Sequence, residues 1–389
     1  MSTQDGQNRA DVIVIGAGVL GTFHAYFAAR KGLKTLLLER NTLPNDASVR
    51  NFGMLPQTIV DPAGPWWKYA RASRDIYQSI QEEHDISLEP AGSLYLASTE
   101  LEDAVLIEFA ERYGDRIKST HLDAGEVNAS YPFVSGSYCL GALHFPDDLA
   151  LEPRQMLARL IPYVALLDGV RYVPNTTVVS VASGPRECTV RDTRGNQFVA
   201  ERVILCAGAE YRILFPEHLA ASGLQVCKLQ MMRTAPMKSV SIPHSVLSGL
   251  SIRRYPAFTS CPSYQRLLAE PTDHELRAFG IHVLIRQSAD GTIVIGDSHE
   301  YRGPRETAPL EERTNPAINE AILRYARRML DLPTWPILEL WNGYYLAHPE
   351  APIYTADIDE RIHLVTGIGG KGMTTGPGFA RESVVRLIS

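Results

Sequence analysis

Long apolar runs are missing from this sequence. None of its stretches approaches the roughly 18 consecutive apolar residues that a membrane-spanning helix requires. The segment of residues 1–11 is polar and lacks the apolar centre of a secretory signal peptide. We therefore expect a cytoplasmic protein with no membrane partner.

Closely spaced cysteines and histidines are also missing. The five cysteines are far apart and include no CxxC pair, so we expect free thiols in a reducing compartment. The 11 histidines include no HxH or HxxxH pair, and we therefore expect no metal site.

An excess of positive charge is absent as well. The formal net charge is −6 at pH 7, which argues against nucleic acid and acidic membranes as partners but leaves room for a local cationic pocket. Hydrophobic residues make up 45% and charged residues 21%, which are ordinary values for a globular protein. A length of 389 residues fits two domains of about 100 to 200 residues each.

Residues 11–40 contain the most informative pattern of the chain. A β-branched apolar run at residues 12–15 predicts a strand, and the GAGVLG turn after it leads into apolar residues at helical spacing. A second apolar run, at residues 36–38, ends on Glu39, about 20 residues beyond the turn. Strand, glycine turn, helix and second strand in this order are typical of a dinucleotide-binding unit.

Each glycine of this turn has a steric role in such a unit. Gly16 permits the tight turn, Gly18 lets the backbone approach a pyrophosphate, and Gly21 allows the helix to pack closely on the strand. The N-terminus of the helix offers amide groups to the anion. Glu39 is placed to accept hydrogen bonds from ribose hydroxyls. The alternative, a glycine-rich turn in another kind of α/β protein, is disfavoured by the spacing of the other elements.

Two later stretches also predict ligand contacts. The apolar strand predicted at residues 202–206 ends in Ala-Gly-Ala, small residues that let a ligand approach the backbone. Near the end of the chain, residues 361–365 predict a strand and residues 367–378 form the loop GIGGKGMTTGPG. Such a loop can present backbone amides to an anionic or electron-rich group.

The flanks of this last loop predict a helix. We expect Pro377 in the first turn of a helix that continues over residues 379–388. A P-loop is excluded, because Gly372 stands where that motif needs Ser or Thr. The other alternative, a flexible glycine tail, would leave the flanking strand and helix unexplained.

Four motifs follow one another in the chain: GAGVLG, ILCAGA at residues 204–209, WNGYY at residues 341–345, and GIGGKGMTTGPG. With them the chain resembles the D-amino-acid-oxidase-like FAD oxidoreductase superfamily, which includes glycine oxidase and monomeric sarcosine oxidase. Within that group, SVRNFGM at residues 48–54 and the C-terminal loop are similar to the FAD-dependent oxidoreductase family associated with catabolism of 2-aminoethylphosphonate and its N-methyl derivative.

The resemblance implies an α/β fold with an α+β second domain. A Rossmann-like FAD-binding domain would be combined with a discontinuous, largely antiparallel substrate domain that covers the flavin. Alternating apolar runs at residues 281–285 and 292–295 suit such a sheet. The expected FAD-binding domain comprises residues 9–92, 150–224 and 338–389, and the substrate domain comprises residues 93–149 and 225–337.

The resemblance also implies which residues hold FAD. The C-terminal loop with Lys371 would stabilise the negative charge that gathers on reduced flavin. Sarcosine oxidase attaches its flavin through a cysteine near that loop, and this chain has no cysteine after Cys261, so we expect noncovalent FAD. Carried over by position, the cofactor-binding residues are Gly16, Gly18, Val19, Leu20, Gly21, Glu39, Arg40, Ser48, Asn51, Phe52, Gly53, Met54, Val178, Val179, Ala207, Gly208, Gly369, Gly370, Lys371, Gly372, Met373 and Thr374.

The segment after Trp341 departs from the family pattern. Amino-acid oxidases of this group usually have Gly-Leu-Arg-Pro there, and the arginine binds the substrate carboxylate at two points. This chain has Gly-Tyr-Tyr-Leu at residues 343–346. A phosphonate, with up to two charges and three acceptor oxygens, would need several cationic donors. The candidates are Arg253, Arg254, Arg286, Arg302 and Lys371. We expect at most one or two of them, with Arg253, Arg254 and Arg286 as the substrate-binding predictions, and the alternative for each arginine is a solvated surface charge.

The implied chemistry is oxidation of a carbon–nitrogen bond. A hydride would pass to flavin N5, the imine would hydrolyse to phosphonoacetaldehyde with release of ammonia or methylamine, and O2 would reoxidise the flavin to give H2O2. The candidate catalytic residues are Tyr344, Tyr345, His299 and Lys371, and a purely structural role for His299 is an equal alternative. A glycine- or sarcosine-type oxidase, an amine dehydrogenase that uses an electron carrier, and a noncatalytic FAD-binding module are the other possibilities. The sequence does not predict the oligomeric state.

Overall fold

The computed structural model describes residues 8–303, 306, 310 and 312–388. Residues 1–7, which form most of the polar segment used for the signal-peptide prediction, lie outside this part. Within the described residues, no helix combines the length and the apolar composition needed to cross a bilayer.

The strands of the described part are β1 (Arg9–Ile15), β2 (Thr35–Leu38), β3 (Met54–Leu55), β4 (Leu88–Glu89), β5 (Ser93–Ala97), β6 (Thr120–Asp123), β7 (Gly141–Phe145), β8 (Leu149–Leu151), β9 (Val170–Val173), β10 (Val178–Ser183), β11 (Cys188–Asp192), β12 (Gln197–Leu205), β13 (Gln225–Thr234), β14 (Ser245–Leu247), β15 (Leu284–Gln287), β16 (Ile293–Gly296), β17 (Glu300–Arg302), β18 (Ile337–Ala347), β19 (Tyr354–Asp357) and β20 (Ile362–Thr366). Its helices are α1 (Val19–Arg30), α2 (Trp67–Glu83), α3 (Glu100–Tyr113), α4 (Ala124–Ser130), α5 (Pro153–Ala165), α6 (Pro216–Ala221), α7 (Gly249–Ile252), α8 (Tyr264–Ala269), α9 (His274–Ala278), α10 (Pro316–Met329) and α11 (Gly372–Ile388).

The first sheet is built on parallel strands. β1 lies between β2 and β12, and Ile15 stands opposite Leu38 on one side and Leu205 on the other. β9 extends the sheet beyond β2, and β20 pairs with the second half of β12, so the parallel order is β9-β2-β1-β12-β20. β11 pairs antiparallel with the first half of β12, and β9, β10 and β19 lie at the edges of the sheet. The predicted Rossmann-like half of the fold is confirmed.

Burial on both faces holds β1 in place. Val12 and Val14 belong to a core shared with α1, α2, α5 and α11, whereas Ile13 and Ile15 belong to the core on the opposite face. Each buried aliphatic side chain of this size contributes about 1.5 to 3 kcal/mol. The strand therefore delivers the glycine turn at its end to a well-defined position.

The second sheet is largely antiparallel, as expected. Its order is β17-β13-β16-β15-β14-β5-β7-β6, with β18 also paired to β13, and β14 and β5 are its one parallel pair among the described strands. A small third sheet, β3-β8-β4, is antiparallel. β18 pairs with β13 from Thr234 opposite Ile337 to Gln225 opposite Ala347. We therefore propose that the second domain continues to Ala347, beyond the boundary predicted at residue 337.

The C-terminal helix differs from its prediction. The sequence suggests that Pro377 lies in the first turn, whereas α11 begins at Gly372 and contains Pro377 in its interior. Proline cannot donate the hydrogen bond that the carbonyl of Met373, four residues earlier, would normally accept. The Tyr77 hydroxyl donates to that carbonyl instead, at 3.0 Å. Because this contact satisfies the carbonyl, the helix continues through the proline.

Candidate active site

Two connected cavities lie where the first sheet meets the second. The larger has a volume of about 370 Å³ and the smaller about 120 Å³. Both are lined by Gly18, Ala47, Ser48, Cys206, Gly208 and Ala209. The two cavities therefore meet at the glycine turn. This arrangement suits an extended dinucleotide.

The glycines of the turn are sterically required. A Cβ on Gly16, whose φ is +94°, would lie 2.4 Å from the carbonyl oxygen of Cys206. A Cβ on Gly21 would lie 1.8 Å from the carbonyl oxygen of Gly16. Gly18 precedes α1, whose first turn contains no acidic residue. The positive end of the helix dipole therefore faces the junction of the cavities, where a pyrophosphate would be stabilised.

The smaller cavity has the polar groups that an adenosine needs. Oε2 of Glu39 accepts a hydrogen bond from the amide of Ala17 at 2.9 Å, and Oε1 accepts one from the amide of Asn41 at 3.0 Å. These bonds hold the carboxylate while leaving lone pairs for ribose hydroxyls. Arg40 lines the same cavity and forms an ion pair with Asp46.

The larger cavity lies between the loop of residues 47–54 and the second sheet. Arg286 donates from Nη1 to the carbonyl of Phe52 at 3.2 Å, and Trp341 donates from Nε1 to the carbonyl of Arg50 at 3.2 Å. The second sheet thus holds the loop in place. Apolar side chains, including Met231 and Leu284, form much of the wall, so the space can exclude water around a bound ring system.

Most of the predicted site residues line these cavities. Those at the larger cavity are Gly18, Val19, Leu20, Ser48, Asn51, Phe52, Met54, Gly208, Arg254, His299, Tyr344, Tyr345, Gly369, Gly370, Lys371, Gly372 and Met373. Those at the smaller cavity are Gly16, Gly18, Glu39, Arg40, Ser48, Val178, Ala207 and Gly208. Their individual roles remain predictions.

Four predicted cofactor residues, Gly21, Gly53, Val179 and Thr374, do not line either cavity. Gly21 lies behind the turn, where a Cβ would collide with the Gly16 carbonyl oxygen. Gly53 supports the loop from behind, since a Cβ there would lie 1.9 Å from the Leu151 carbonyl oxygen. Val179 is 41% exposed and points away from Val178, because successive strand residues face opposite sides. Thr374 lies within α11, beside a separate small cavity. Of these four, only the backbone of Val179 remains a candidate for direct contact with the cofactor.

The tandem arginines have different surroundings. Arg253 forms ion pairs with Glu102 at 3.1 Å and Glu270 at 2.7 Å, away from the cavity. Arg254 lines the cavity, and its Nη2 lies 3.1 Å from the Tyr301 hydroxyl oxygen. Successive residues at a helix end point about 100° apart, because a turn takes 3.6 residues, so one of the two faces inward. The substrate-binding prediction for Arg253 is therefore corrected.

Arg286 also lies away from the substrate space. It is buried against Glu89 at 3.5 Å and Glu152 at 4.0 Å, and it does not line the larger cavity. Its hydrogen bond to the Phe52 carbonyl makes it a support for the loop. The sequence could not reveal this, because the direction of a strand residue depends on the register of the sheet.

Several residues at the larger cavity were missed by sequence reasoning, among them Tyr301, Asp297 and His282. Asp297 and His282 line it together with His299, and the potential ligand atoms of the three lie within 4.8 Å of one another. The expectation of no metal site relied on sequence spacing, which does not detect this group. The nearest signal was the Gly-Asp-Ser-His segment that contains Asp297 and His299.

Burial shifts the pKa of several cavity groups. Burial lowers the pKa of His299 to about 3 and that of Lys371 to about 8. Burial raises the pKa of the Asp297 carboxyl, although the positive charge of Arg254 opposes this. At neutral pH, His299 is therefore an uncharged hydrogen-bond acceptor or donor, and Lys371 is mostly cationic.

Comparisons with known proteins agree with a flavin site. A family model described as DAO, FAD dependent oxidoreductase, matches residues 11–384. Glycine oxidase of Bacillus licheniformis is 29% identical over 220 residues, which cover 54% of this chain and 57% of that protein. Glycine oxidase of Geobacillus kaustophilus is 28% identical over 212 residues, which cover 52% of this chain and 55% of that protein. One component of the anaerobic glycerol-3-phosphate dehydrogenase of Escherichia coli K12 is 27% identical over 168 residues, 41% of this chain and 29% of that protein.

The solved structures agree at the level of the fold. The crystal structure of glycine oxidase from Geobacillus kaustophilus has a TM-score of 0.77 to this chain at 20% identity, and the match covers 97% of this chain and 95% of that one. The match to the curated Bacillus licheniformis glycine oxidase spans only about half of its length, 57%.

Proposed function

This chain belongs to the DAO family of FAD-dependent oxidoreductases, and on that premise we propose that it oxidises the carbon–nitrogen bond of 2-aminoethylphosphonate or its N-methyl derivative. The products are phosphonoacetaldehyde and either ammonia or methylamine. Bound noncovalently, FAD supplies the acceptor for a hydride, and O2 serves as the final oxidant in this proposal.

The proposal depends on the position of Arg254. Its guanidinium faces the larger cavity, and among the described residues no carboxylate lies within ion-pair distance of it. A guanidinium offers a planar set of donors that matches an oxyanion. Tyr301 and Tyr345, each with a hydroxyl group, also line the cavity. One cation and two hydroxyls can donate to the three oxygens of a phosphonate.

The sequence of β18 favours a phosphonate over an α-amino acid. Where amino-acid oxidases have the arginine that binds a carboxylate, this strand has Tyr344, Tyr345 and Leu346. The named relatives include both glycine oxidase and a component of a glycerol-3-phosphate dehydrogenase. A phosphate-bearing substrate is thus among those named for related proteins.

Tyr345 and Lys371 have protonation states that suit this proposal. Burial raises the pKa of Tyr345 well above its ordinary value, so its hydroxyl stays protonated and can donate or accept a hydrogen bond. Lys371 lies on the C-terminal glycine loop, with Nζ 5.8 Å from the centre of the Trp66 ring. A cation there stabilises negative charge at the loop, and the apolar walls exclude water.

A glycine- or sarcosine-type amino-acid oxidase is the second candidate. The 29% identity to glycine oxidase favours it, and Arg254 would then bind the carboxylate. An amine dehydrogenase that passes electrons to a carrier would share the same site and differ only in the oxidant.

Anaerobic mixing of the purified holoenzyme with amines tests the proposal. The flavin absorbance near 450 nm, an approximate expectation from the chemistry of the cofactor, is followed with 2-aminoethylphosphonate, its N-methyl derivative, glycine and sarcosine. Bleaching by the phosphonates alone supports the proposal. Bleaching by glycine or sarcosine alone would show that the proposed substrate is wrong, while the assignment of FAD as cofactor would stand. Dye reduction without peroxide formation in air identifies a dehydrogenase.

A further inference from the structure

One oxygen of a buried carboxylate at the larger cavity lacks a hydrogen-bond partner. Asp297 is only 6% exposed, and its Oδ1 accepts no hydrogen bond from any described residue. The Nε2 atom of His282 lies 3.1 Å from Oδ1, and Nε2 of His299 lies 3.7 Å from Oδ2. An unsatisfied buried carboxylate oxygen is costly, so its presence at a cavity points to a ligand that donates to this carboxylate.

The protonation of His299 strengthens this conclusion. Its Nδ1 lies 3.3 Å from the carbonyl oxygen of Gly280, which can only accept a hydrogen bond, so Nδ1 carries the proton. Because burial keeps the ring uncharged, with a pKa of about 3, Nε2 is then an acceptor. Two acceptors, Nε2 of His299 and Oδ2 of Asp297, therefore face each other and require a donor between them.

The donor must carry several N–H or O–H groups and preferably a positive charge. A metal ion is a possible occupant of the group formed by His282, Asp297 and His299. The positive charge of Arg254 acts on Asp297, however, and would oppose a divalent ion there. A singly charged ammonium satisfies both acceptors with less repulsion.

We propose that Asp297, together with His299, binds the ammonium group of the substrate, while Arg254 binds its anionic end. The inference deepens the proposed function and rests on it. It makes the cavity complementary to a zwitterion, with a carboxylate and a guanidinium that do not form an ion pair with each other.

Asp297 also receives the ammonium proton. The N–H bond of the ammonium breaks, an O–H bond forms on the carboxyl, and the amine becomes neutral without any other bond changing. Other titratable or charged groups around the carboxyl belong to Arg254, Tyr255, His282, His299 and Cys227. Loss of hydride from the neutral amine leaves an iminium ion, and its hydrolysis releases ammonium or methylammonium without a further proton. The proton on the carboxyl is therefore the one consumed when O2 is reduced to H2O2.

The test compares two probes that differ only in the amine. Wild-type and Asp297→Asn holoenzymes are mixed anaerobically with 2-aminoethylphosphonate and with ethylphosphonate. The shift of the oxidised flavin spectrum gives the Kd of ethylphosphonate, and the dependence of the bleaching rate on concentration gives that of 2-aminoethylphosphonate. We expect the Kd for the aminophosphonate to rise on the order of 30-fold, whereas that for ethylphosphonate changes less than about twofold. Asp290→Asn, on the hairpin between β15 and β16 and outside the cavity, is the matched control and should resemble the wild type.

A pH series separates proton acceptance from a structural role. In Asp297→Asn, the rate at which the substrate bleaches the flavin should rise about tenfold for each unit of increasing pH, up to the pKa of the substrate amine, near 10. The reason is that the variant lacks the base and must bind the amine already neutral. The wild type should show a shallower dependence. Equal weakening of both probes, or an unchanged aminophosphonate Kd, would overturn the inference.

Two further outcomes keep the inference distinct from the proposed function. If only glycine or sarcosine bleaches the wild type, the proposed substrate is wrong, and the test is repeated with glycine and acetate in place of the two phosphonates. A larger effect of Asp297→Asn on the Kd of glycine than on that of acetate would still support the inference. If Asp297→Asn does not retain FAD, the affinities of the wild type for the amine and for its analogue without the amine are compared instead. Equal affinities would overturn the role of Asp297. A stoichiometric metal in the purified holoenzyme, lost in the variant, would also overturn it.

Discussion

Arg253 and Arg254 are neighbours in the sequence with different expected roles. Arg254→Met should weaken binding of ethylphosphonate by roughly 10- to 100-fold, because a charged hydrogen bond contributes about 1.5 to 3 kcal/mol. Its effect on unfolding should be small. Spectral titration of the holoenzyme measures the first effect and urea unfolding the second.

Arg253→Met provides the matched comparison. Its loss leaves Glu102, which is 2% exposed, without its cationic partner, and we expect a loss of about 3 kcal/mol in the free energy of unfolding. The affinity of folded protein for ethylphosphonate should hardly change. If the two variants exchanged these effects, the assignment of Arg254 to the substrate would be wrong.

The ionisation of Lys371 should make the reduction potential of the flavin depend on pH. Burial lowers its pKa to about 8, so it is cationic below pH 8 and becomes neutral as the pH rises through that value. The cation favours the more negative, reduced flavin. The potential of the wild type should therefore have an inflection near pH 8 that is absent from Lys371→Met.

Below this inflection, the Lys371→Met variant should have the lower potential, by roughly 30 mV for an interaction of about 1.4 kcal/mol in a two-electron couple. The potential is measured by reduction against a dye of known potential between pH 6 and 10. Parallel curves for the two proteins would mean that the ammonium does not act on the flavin.

At the scale of elements, α11 depends on a contact with α2. The Tyr77 hydroxyl donates to the Met373 carbonyl, which Pro377 leaves without its helical partner. Tyr77→Phe should therefore cost about 1 to 3 kcal/mol in the free energy of unfolding, because the carbonyl is buried and unsatisfied.

The same substitution should cost less in a Pro377→Ala background. Alanine restores the backbone donor at residue 377, so the Met373 carbonyl keeps a partner when the hydroxyl is removed. Urea unfolding of the wild type, both single variants and the double variant measures the coupling. Additive effects would show that the proline and the tyrosine act independently.

At the scale of the whole molecule, FAD should stabilise both sheets together. Its predicted contacts come from the first sheet, the loop of residues 47–54 and the C-terminal loop, and the larger cavity also reaches the second sheet. A ligand present at about 1000 times its Kd stabilises the folded state by about 4 kcal/mol. The thermal midpoint of the apoprotein should therefore rise steadily with added FAD.

Gly16→Ala should abolish that response. The added Cβ would collide with the Cys206 carbonyl oxygen at 2.4 Å and distort the turn. Gly195→Ala is the matched control, since Gly195 also has a positive φ, +81°, but no atom within 4 Å of the added Cβ. A midpoint that rises equally with FAD in both variants would contradict the role of the turn.

The sequence alone determined the local elements of this protein and its family. The apolar run of β1, the glycine turn and the loop of residues 367–378 depend on backbone sterics and short-range periodicity, which are properties of consecutive residues. Their order along the chain carried the family resemblance. The parallel first sheet and the antiparallel second sheet followed from them.

Only the tertiary structure decided which side chains share the site. Arg254 faces the cavity and Arg253 does not because of the rotation of one short helix, and Asp297 meets His282 and His299 through the register of the second sheet. The continuation of α11 past Pro377 depends on Tyr77, 296 residues from the carbonyl it satisfies. Such choices depend on contacts between distant segments, which no local pattern encodes.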